Sequence, residues 1–175
     1  ARADITPYHA RQIRSFNDPA LTRLLVETWG ELRDASADRS AAIVALKTEL
    51  TPAVLAAADK RQGRMVFANL CGACHRLYGE GGEVGPDLTG AGRDNLDYVL
   101  ENIIDPSAVV TADFRVATVK LKDGRVLNGF IAARTGRTLT VRSMTESQTV
   151  ERTDVAVVEE SAQSMMPAGL LDALT

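Results

Sequence analysis

The chain has 175 residues, 45% of them apolar, which is enough for one full hydrophobic core or two small ones. A formal charge of -3 and a pI near 5.4 exclude the concentrated basic surface that nucleic-acid binding needs. No apolar run is long enough to span a bilayer and no signal peptide is recognisable; the chain starts at Ala1 and not at Met, as expected of a mature or excised piece.

In chain order, Asp18-Pro19 reads as an N-cap followed by proline at the first helical position. Leu21, Leu24, Leu25, Thr28, Trp29 and Leu32 then recur at helical spacing. A polar turn over Asp34 to Ser40 precedes a second helix carrying Ile43, Val44, Leu46 and Leu50, and Thr51-Pro52 starts a short third one reaching Ala58. These helices carry no chemistry of their own. Trp29 reads as core, with a cofactor-lining role as the alternative, and His9 reads as a solvated histidine, with a distal ligand as the alternative.

Gly63 to Leu70 is helical and runs into Cys71-Gly72-Ala73-Cys74-His75. Two thiols three residues apart can each add across a haem vinyl group, and the histidine that follows is then held against the iron. Cys71 and Cys74 are the only cysteines, so the chain alone can build neither a disulfide framework nor a four-cysteine zinc site. The remaining alternatives are half of a zinc site, a redox dithiol and a bare structural turn. The redox reading lacks the buried strand that should precede such a pair.

The stretch Gly79 to Gly90 is too rich in glycine for regular structure. It lacks the Gly-Lys-Ser/Thr ending of a phosphate cradle and makes better sense as a wall beside the histidine. Arg93 to Ile104 reads as a helix closed by Asp105-Pro106, and Arg93 is a candidate partner for a propionate, with a solvated arginine as the alternative. From Phe114 the period becomes alternating. Runs at Phe114 to Leu121, Arg125 to Ala133, Leu139 to Met144, Gln148 to Glu151 and Val155 to Val158 predict five short antiparallel strands, as a meander or small barrel, with Asp123-Gly124 as the strongest hairpin signal. Their pattern faintly resembles Sm-like or SH3-like barrels, without the stacking aromatics of an RNA surface.

The segment Ser164-Met165-Met166-Pro167 offers a sixth ligand, since methionine sulfur raises a haem's potential relative to a second histidine. Met65 and Met144 are the other methionines, and either can simply pack.

The arrangement Gly63, Val66, Phe67, Cys71, Cys74, His75 resembles the first haem-domain helix of class I cytochromes c. That resemblance implies that Gly63 and Phe67 pack against a C-terminal helix, that the Pro86 carbonyl accepts a hydrogen bond from His75, that Leu88 packs on the porphyrin, and that a Met-Pro loop supplies the ligand, which favours Met166 over Met165. Five blocks in order, at Cys71 to His75, Gly85 to Gly90, Asp105 to Val110, Asp123 to Gly129 and Met165 to Leu170, further resemble a haem-binding domain of planctomycete and verrucomicrobial proteins. This likeness covers about Lys60 to Thr175. It implies an exported protein, a dehydrogenase-like part upstream and a final helix beyond Thr175.

The expected architecture is α+β: a class I cytochrome c-like helical haem domain with an N-terminal helical extension and a small antiparallel β insertion before the Met loop. The expected segments are 1–58 helical, 59–112 haem core, 113–160 β insertion and 161–175 Met loop with the start of a helix. The expected function is a mono-haem c-type cytochrome domain that carries one haem c and passes single electrons from a dehydrogenase to a respiratory acceptor in the periplasm or a similar compartment. It is expected to be no enzyme itself. Its site residues are Cys71, Cys74, His75, Pro86, Leu88, Arg93 and Met166, with His75 and Met166 on iron. Two other classes stay open: a haem sensor or peroxidase-like site with an open distal position, and a non-haem interaction module.

Overall fold

The computed structural model describes residue 5 and residues 7–30, 32–33 and 36–174. Of the expected turn over Asp34 to Ser40, Asp34 and Ala35 lie outside these residues, as do the chain ends Ala1 and Thr175. The helices are α1 (Pro7–Ser15), α2 (Pro19–Trp29), α3 (Ala37–Glu49), α4 (Pro52–Ala57), α5 (Lys60–Leu70) and α6 (Leu96–Ile104). The strands are β1 (Arg76–Leu77), β2 (Glu80–Gly81), β3 (Arg115–Leu121), β4 (Val126–Arg134), β5 (Thr138–Arg142), β6 (Ser147–Glu151) and β7 (Val155–Ser164). Short 3-10 turns lie at Ala112–Phe114, Arg152–Asp154 and Leu170–Ala173.

The helix starts follow local capping chemistry. Asp18 Oδ1 accepts from the backbone N–H groups of Ala20 and Leu21, Ser36 from Arg39, Thr51 from Val54, and Asp59 from Arg61 and Gln62. Two expected bounds change for the same kind of reason. Gly30 at φ 112° ends α2 at Trp29, so Leu32 lies beyond the helix. Asn95 caps the N–H of Tyr98 at 3.1 Å, so α6 starts at Leu96 and not at Arg93.

The contacts divide the chain into two compact units, each made of two separate stretches. One comprises Ala1–Asp34 and Pro106–Met165, and the other Ala35–Asp105 and Met166–Thr175. The N-terminal helices therefore do not stay together as one segment. Helices α1 and α2 go with β3 to β7, while α3 and α4 go with α5 and α6.

In the strand unit, five antiparallel strands pair in the order β6-β5-β4-β3-β7. Strands β3 to β6 form a meander, and β7 returns to pair with β3 at the opposite edge, through register shifts beside Ala117 and Leu121. Alternation sends Ala117, Val119 and Leu121 of β3 inward, with Ile131, Leu139 and Val141. A second cluster joins Ala10, Leu25 and Trp29 to Ala108 and Val109, where the Trp29 Nε1–H donates to the Ile5 carbonyl at 2.8 Å. This settles Trp29 as core. His9 is exposed on α1.

In the other unit, α3 packs along α6 and is tied to it by Lys47–Asp97 at 2.5 Å and by an ion pair between Arg39 and the buried Asp105. Among its described hydrophobic residues only Leu100 is buried, while Val66, Phe67, Leu70, Leu77 and Leu88 stay half exposed. The expected close helix approach at Gly63 is not made among the described residues, none of whose atoms lies within 4 Å of a Cβ placed there. The reason is local, since Leu170–Ala173 forms only a 3-10 turn and packs on α6.

Candidate functional site

The site is built on the end of α5. Cys71 N–H and Gly72 N–H both donate to Phe67 O at 2.8 Å, and Cys74 N–H and His75 N–H donate to Cys71 O at 3.0 and 2.9 Å. One extra turn thus carries both thiols and the imidazole. Cys71 and Cys74 are half-buried and form no disulfide. Burial, and then the neighbouring Cys74, push the Cys71 thiol up from its ordinary range.

A hairpin follows that the glycine content had concealed. Arg76 and Leu77 pair with Gly81 and Glu80, around a two-residue turn in which Tyr78 and Gly79 both have positive φ, 52° and 83°. Gly79 adopts this freely and Tyr78 does so at a cost. Tyr78 is held there because its N–H donates to Thr89 Oγ1 at 2.8 Å and its ring lies 5.0 Å under the Arg93 guanidinium.

The remaining loop lies flush against the motif. Gly82 N–H donates to Gly72 O, Gly85 N–H to Cys74 O and Leu88 N–H to Arg76 O, each at 2.8 Å. A Cβ on Gly82 would stand 2.1 Å from Ala73 O, and one on Gly85 2.6 Å from His75 Cε1. Gly82 is therefore required by contact with backbone, since a side chain there would lift the loop off the turn, whereas at Gly85 the obstacle is the His75 ring.

This packing sets the Pro86 carbonyl oxygen 2.8 Å from His75 Nδ1. A carbonyl only accepts, so Nδ1 carries the proton and Nε2 the lone pair. The histidine is left in the tautomer of a metal ligand, with its other nitrogen anchored. The loop's charges are paired outward: Arg64 with Glu80 at 2.5 Å, and Arg76 with Glu83. Asp87 is held below the usual carboxylate range by the Thr89 hydroxyl, then by the Thr89 N–H and Arg76.

Arg93 braces the loop. Its Nε donates to Leu88 O at 2.8 Å, and its Nη2 to the Tyr78 hydroxyl at 2.9 Å and to Thr89 O at 3.2 Å. Leu88 is half-buried beside it. Met166 is half-buried and groups with the motif, whereas Met165 closes the strand unit. Met65 and Met144 are 60% and 53% exposed. The Tyr78–Arg93–Thr89 brace had a sequence signal only at Gly79. The close contact at Gly85 had none beyond the Gly-Pro pair.

Two reduced thiols on one turn, an anchored imidazole with an available lone pair, and a half-buried apolar surround fit covalently attached haem. Among the described residues, no group of three or more His, Cys, Asp or Glu side chains is assembled as a metal site. The fold and site define a haem-attachment domain built from helices plus a β-sheet. The model of the cytochrome c family matches residues 61–173, well over half of the chain. The chain belongs to the cytochrome c family and binds covalent haem c for electron transfer. No curated protein matches the chain in sequence.

Proposed function

We propose that the chain is a mono-haem c-type cytochrome domain of class I type with His75 and Met166 on iron. It takes single electrons from a dehydrogenase, fused or separate, and gives them to a respiratory acceptor outside the cytoplasm. The observation that supports this is the 2.8 Å contact between His75 Nδ1 and the Pro86 carbonyl, which leaves the lone pair a metal would take on Nε2. The bound haem supplies the one-electron couple. The chain's own groups hold and tune it.

Cys71 and Cys74 fix the porphyrin by thioether bonds, and the Gly82 to Pro86 stretch keeps the imidazole from rotating. Leu88 contributes apolar surface, as do the half-exposed Val66, Phe67 and Leu70. Arg93 uses Nε and Nη2 on the loop, leaving Nη1 as the donor for a propionate. Met166 is favoured over Met165 because it groups with the motif and is followed by Pro167, which stiffens its approach. Ala73 and Ala168 are exposed small residues that leave a haem edge open to a transient partner. The strands are an insertion before the Met loop, as in the planctomycete-type domain the sequence resembles.

The test is an absorption spectrum of oxidised and reduced protein made with haem-attachment machinery, for wild type, Met165→Ala and Met166→Ala. A weak sulfur-to-iron band at the red end, lost only in Met166→Ala, is the expected result. A wild type without that band, whose reduced form binds carbon monoxide readily, would replace this reading with an open-site sensor or peroxidase-like one.

A further inference from the structure

The Thr89 hydroxyl joins two stretches of chain that converge on the His75 ring. Its oxygen accepts the Tyr78 N–H at 2.8 Å, from the turn that follows His75. Its proton goes to the Asp87 carboxylate, which only accepts, and the Thr89 N–H donates to Asp87 Oδ1 at 2.7 Å. One residue thus holds both the hairpin turn and the residue next to Pro86.

The place of Asp87 in the chain gives that grip its consequence. The carbonyl that meets His75 Nδ1 at 2.8 Å belongs to the planar peptide between Pro86 and Asp87, so whatever fixes Asp87 also fixes that carbonyl's aim. On the proline side the plane is held by the ring, which sets φ, and by Gly85 N–H on Cys74 O at 2.8 Å. On the Asp87 side it is held by Leu88 N–H on Arg76 O at 2.8 Å and by the Thr89 clamp on the carboxylate. Tyr78, at φ 52° against its own preference, needs the same hydroxyl to stay in place.

We propose that Thr89 is a positioning residue for His75: through Asp87 it keeps the Pro86 carbonyl on Nδ1 and so lowers the reduction potential of the haem. The inference rests on the reading that His75 binds the iron. A hydrogen bond given by Nδ1 makes the ligating nitrogen more basic. A more basic ligand stabilises ferric iron more than ferrous, because the ferric ion carries the higher charge. Loss of the clamp frees the carbonyl to turn away and moves the couple toward the reduced form. Asp87 and Thr89 are both exposed, so water competes for each bond and the effect is modest.

The test is a redox titration of haem-loaded wild type, Thr89→Val and Thr89→Ser, with nuclear magnetic resonance of the His75 ring. Thr89→Val keeps the side chain's shape, removes the hydroxyl and changes no charge. It should shift the one-electron equilibrium toward the reduced form by about threefold, less than the loss of a direct ligand partner. It should also speed solvent exchange of the His75 Nδ1 proton, and Thr89→Ser should restore both. An unchanged potential in folded Thr89→Val overturns the inference, as does a shift that Thr89→Ser fails to reverse. If Thr89→Val does not fold, wild type decides. The His75 Nδ1 proton should then share one opening free energy with the Tyr78 and Thr89 amides, and a ring proton that opens independently of them overturns the inference. Ferric wild type without paramagnetically shifted His75 ring resonances would overturn the ligation reading, and this inference with it.

Discussion

Gly85 sits so close to His75 that a Cβ on it would stand 2.6 Å from the ring's Cε1 and 2.8 Å from Nδ1. The imidazole can swing aside only if it gives up the Pro86 carbonyl, so the consequence of a methyl group depends on what holds the ring. In the apoprotein nothing but that hydrogen bond resists, and Gly85→Ala should change the melting temperature by only a degree or two. With haem bound, ring and loop are both fixed, and overpacking should cost about 1–3 kcal/mol. Denaturation of the two forms in parallel checks this. Equal effects on apo and holo protein would mean that the ring is not the obstacle.

Arg93 holds three acceptors at once, and only a planar fork can do so. Arg93→Leu should cost about 1–2 kcal/mol, discounted because the group is exposed, and Arg93→Lys should recover little, since an ammonium cannot reach Leu88 O and the Tyr78 hydroxyl together. The amides of Tyr78 and Leu88, whose bonds to Thr89 Oγ1 and Arg76 O close the loop, should exchange faster in both variants. Unchanged exchange at these two positions would reduce Arg93 to a surface charge.

Cys71 bears on the state before haem is attached. Burial raises its thiol pKa in the folded chain, so folding favours the protonated form. That contribution is complete below the pKa of the unfolded thiol and is lost as pH rises through the higher folded value. The apoprotein should therefore weaken on the alkaline side, and Cys71→Ala should flatten that limb. Urea melts between neutral and alkaline pH give the comparison. A Cys71→Ala variant with the same alkaline slope as wild type would assign the loss to other groups.

What could be read from the chain divides by range. The caps at Asp18 and Thr51 and the hairpin at Asp123-Gly124 are settled within a few residues, as is the alternation of Ala117, Val119 and Leu121, and all appear where local rules put them. The attachment motif is equally local. Grouping is not: α1 and α2 join the strands because Trp29 meets Ala108 and Val109, some eighty positions away, and no periodicity encodes that meeting. The same holds for Gly63, whose role required a partner helix, and for Gly82 and Gly85, whose lack of a side chain matters only once the loop lies against the motif. Tyr78 ran against its own preference, since a bulky residue at positive φ is disfavoured until Thr89 and Arg93 hold it.

Trp29 separates a core role from a haem-lining one most directly. It is 1% exposed, packs with Ala10, Leu25, Ala108 and Val109, and satisfies its indole N–H on the Ile5 carbonyl. Trp29→Ala should cost about 3–5 kcal/mol through the cavity it opens. Trp29→Phe keeps most of the volume but strands the Ile5 carbonyl, and should cost about 1–2 kcal/mol. If Trp29 serves only this core, Trp29→Phe, which should stay folded, keeps the wild-type absorption spectrum in both oxidation states. Chemical denaturation followed by circular dichroism gives the energies, and the spectrum gives the control. A shifted haem spectrum in folded Trp29→Phe would show that the indole feels the cofactor, and the core assignment would then be incomplete.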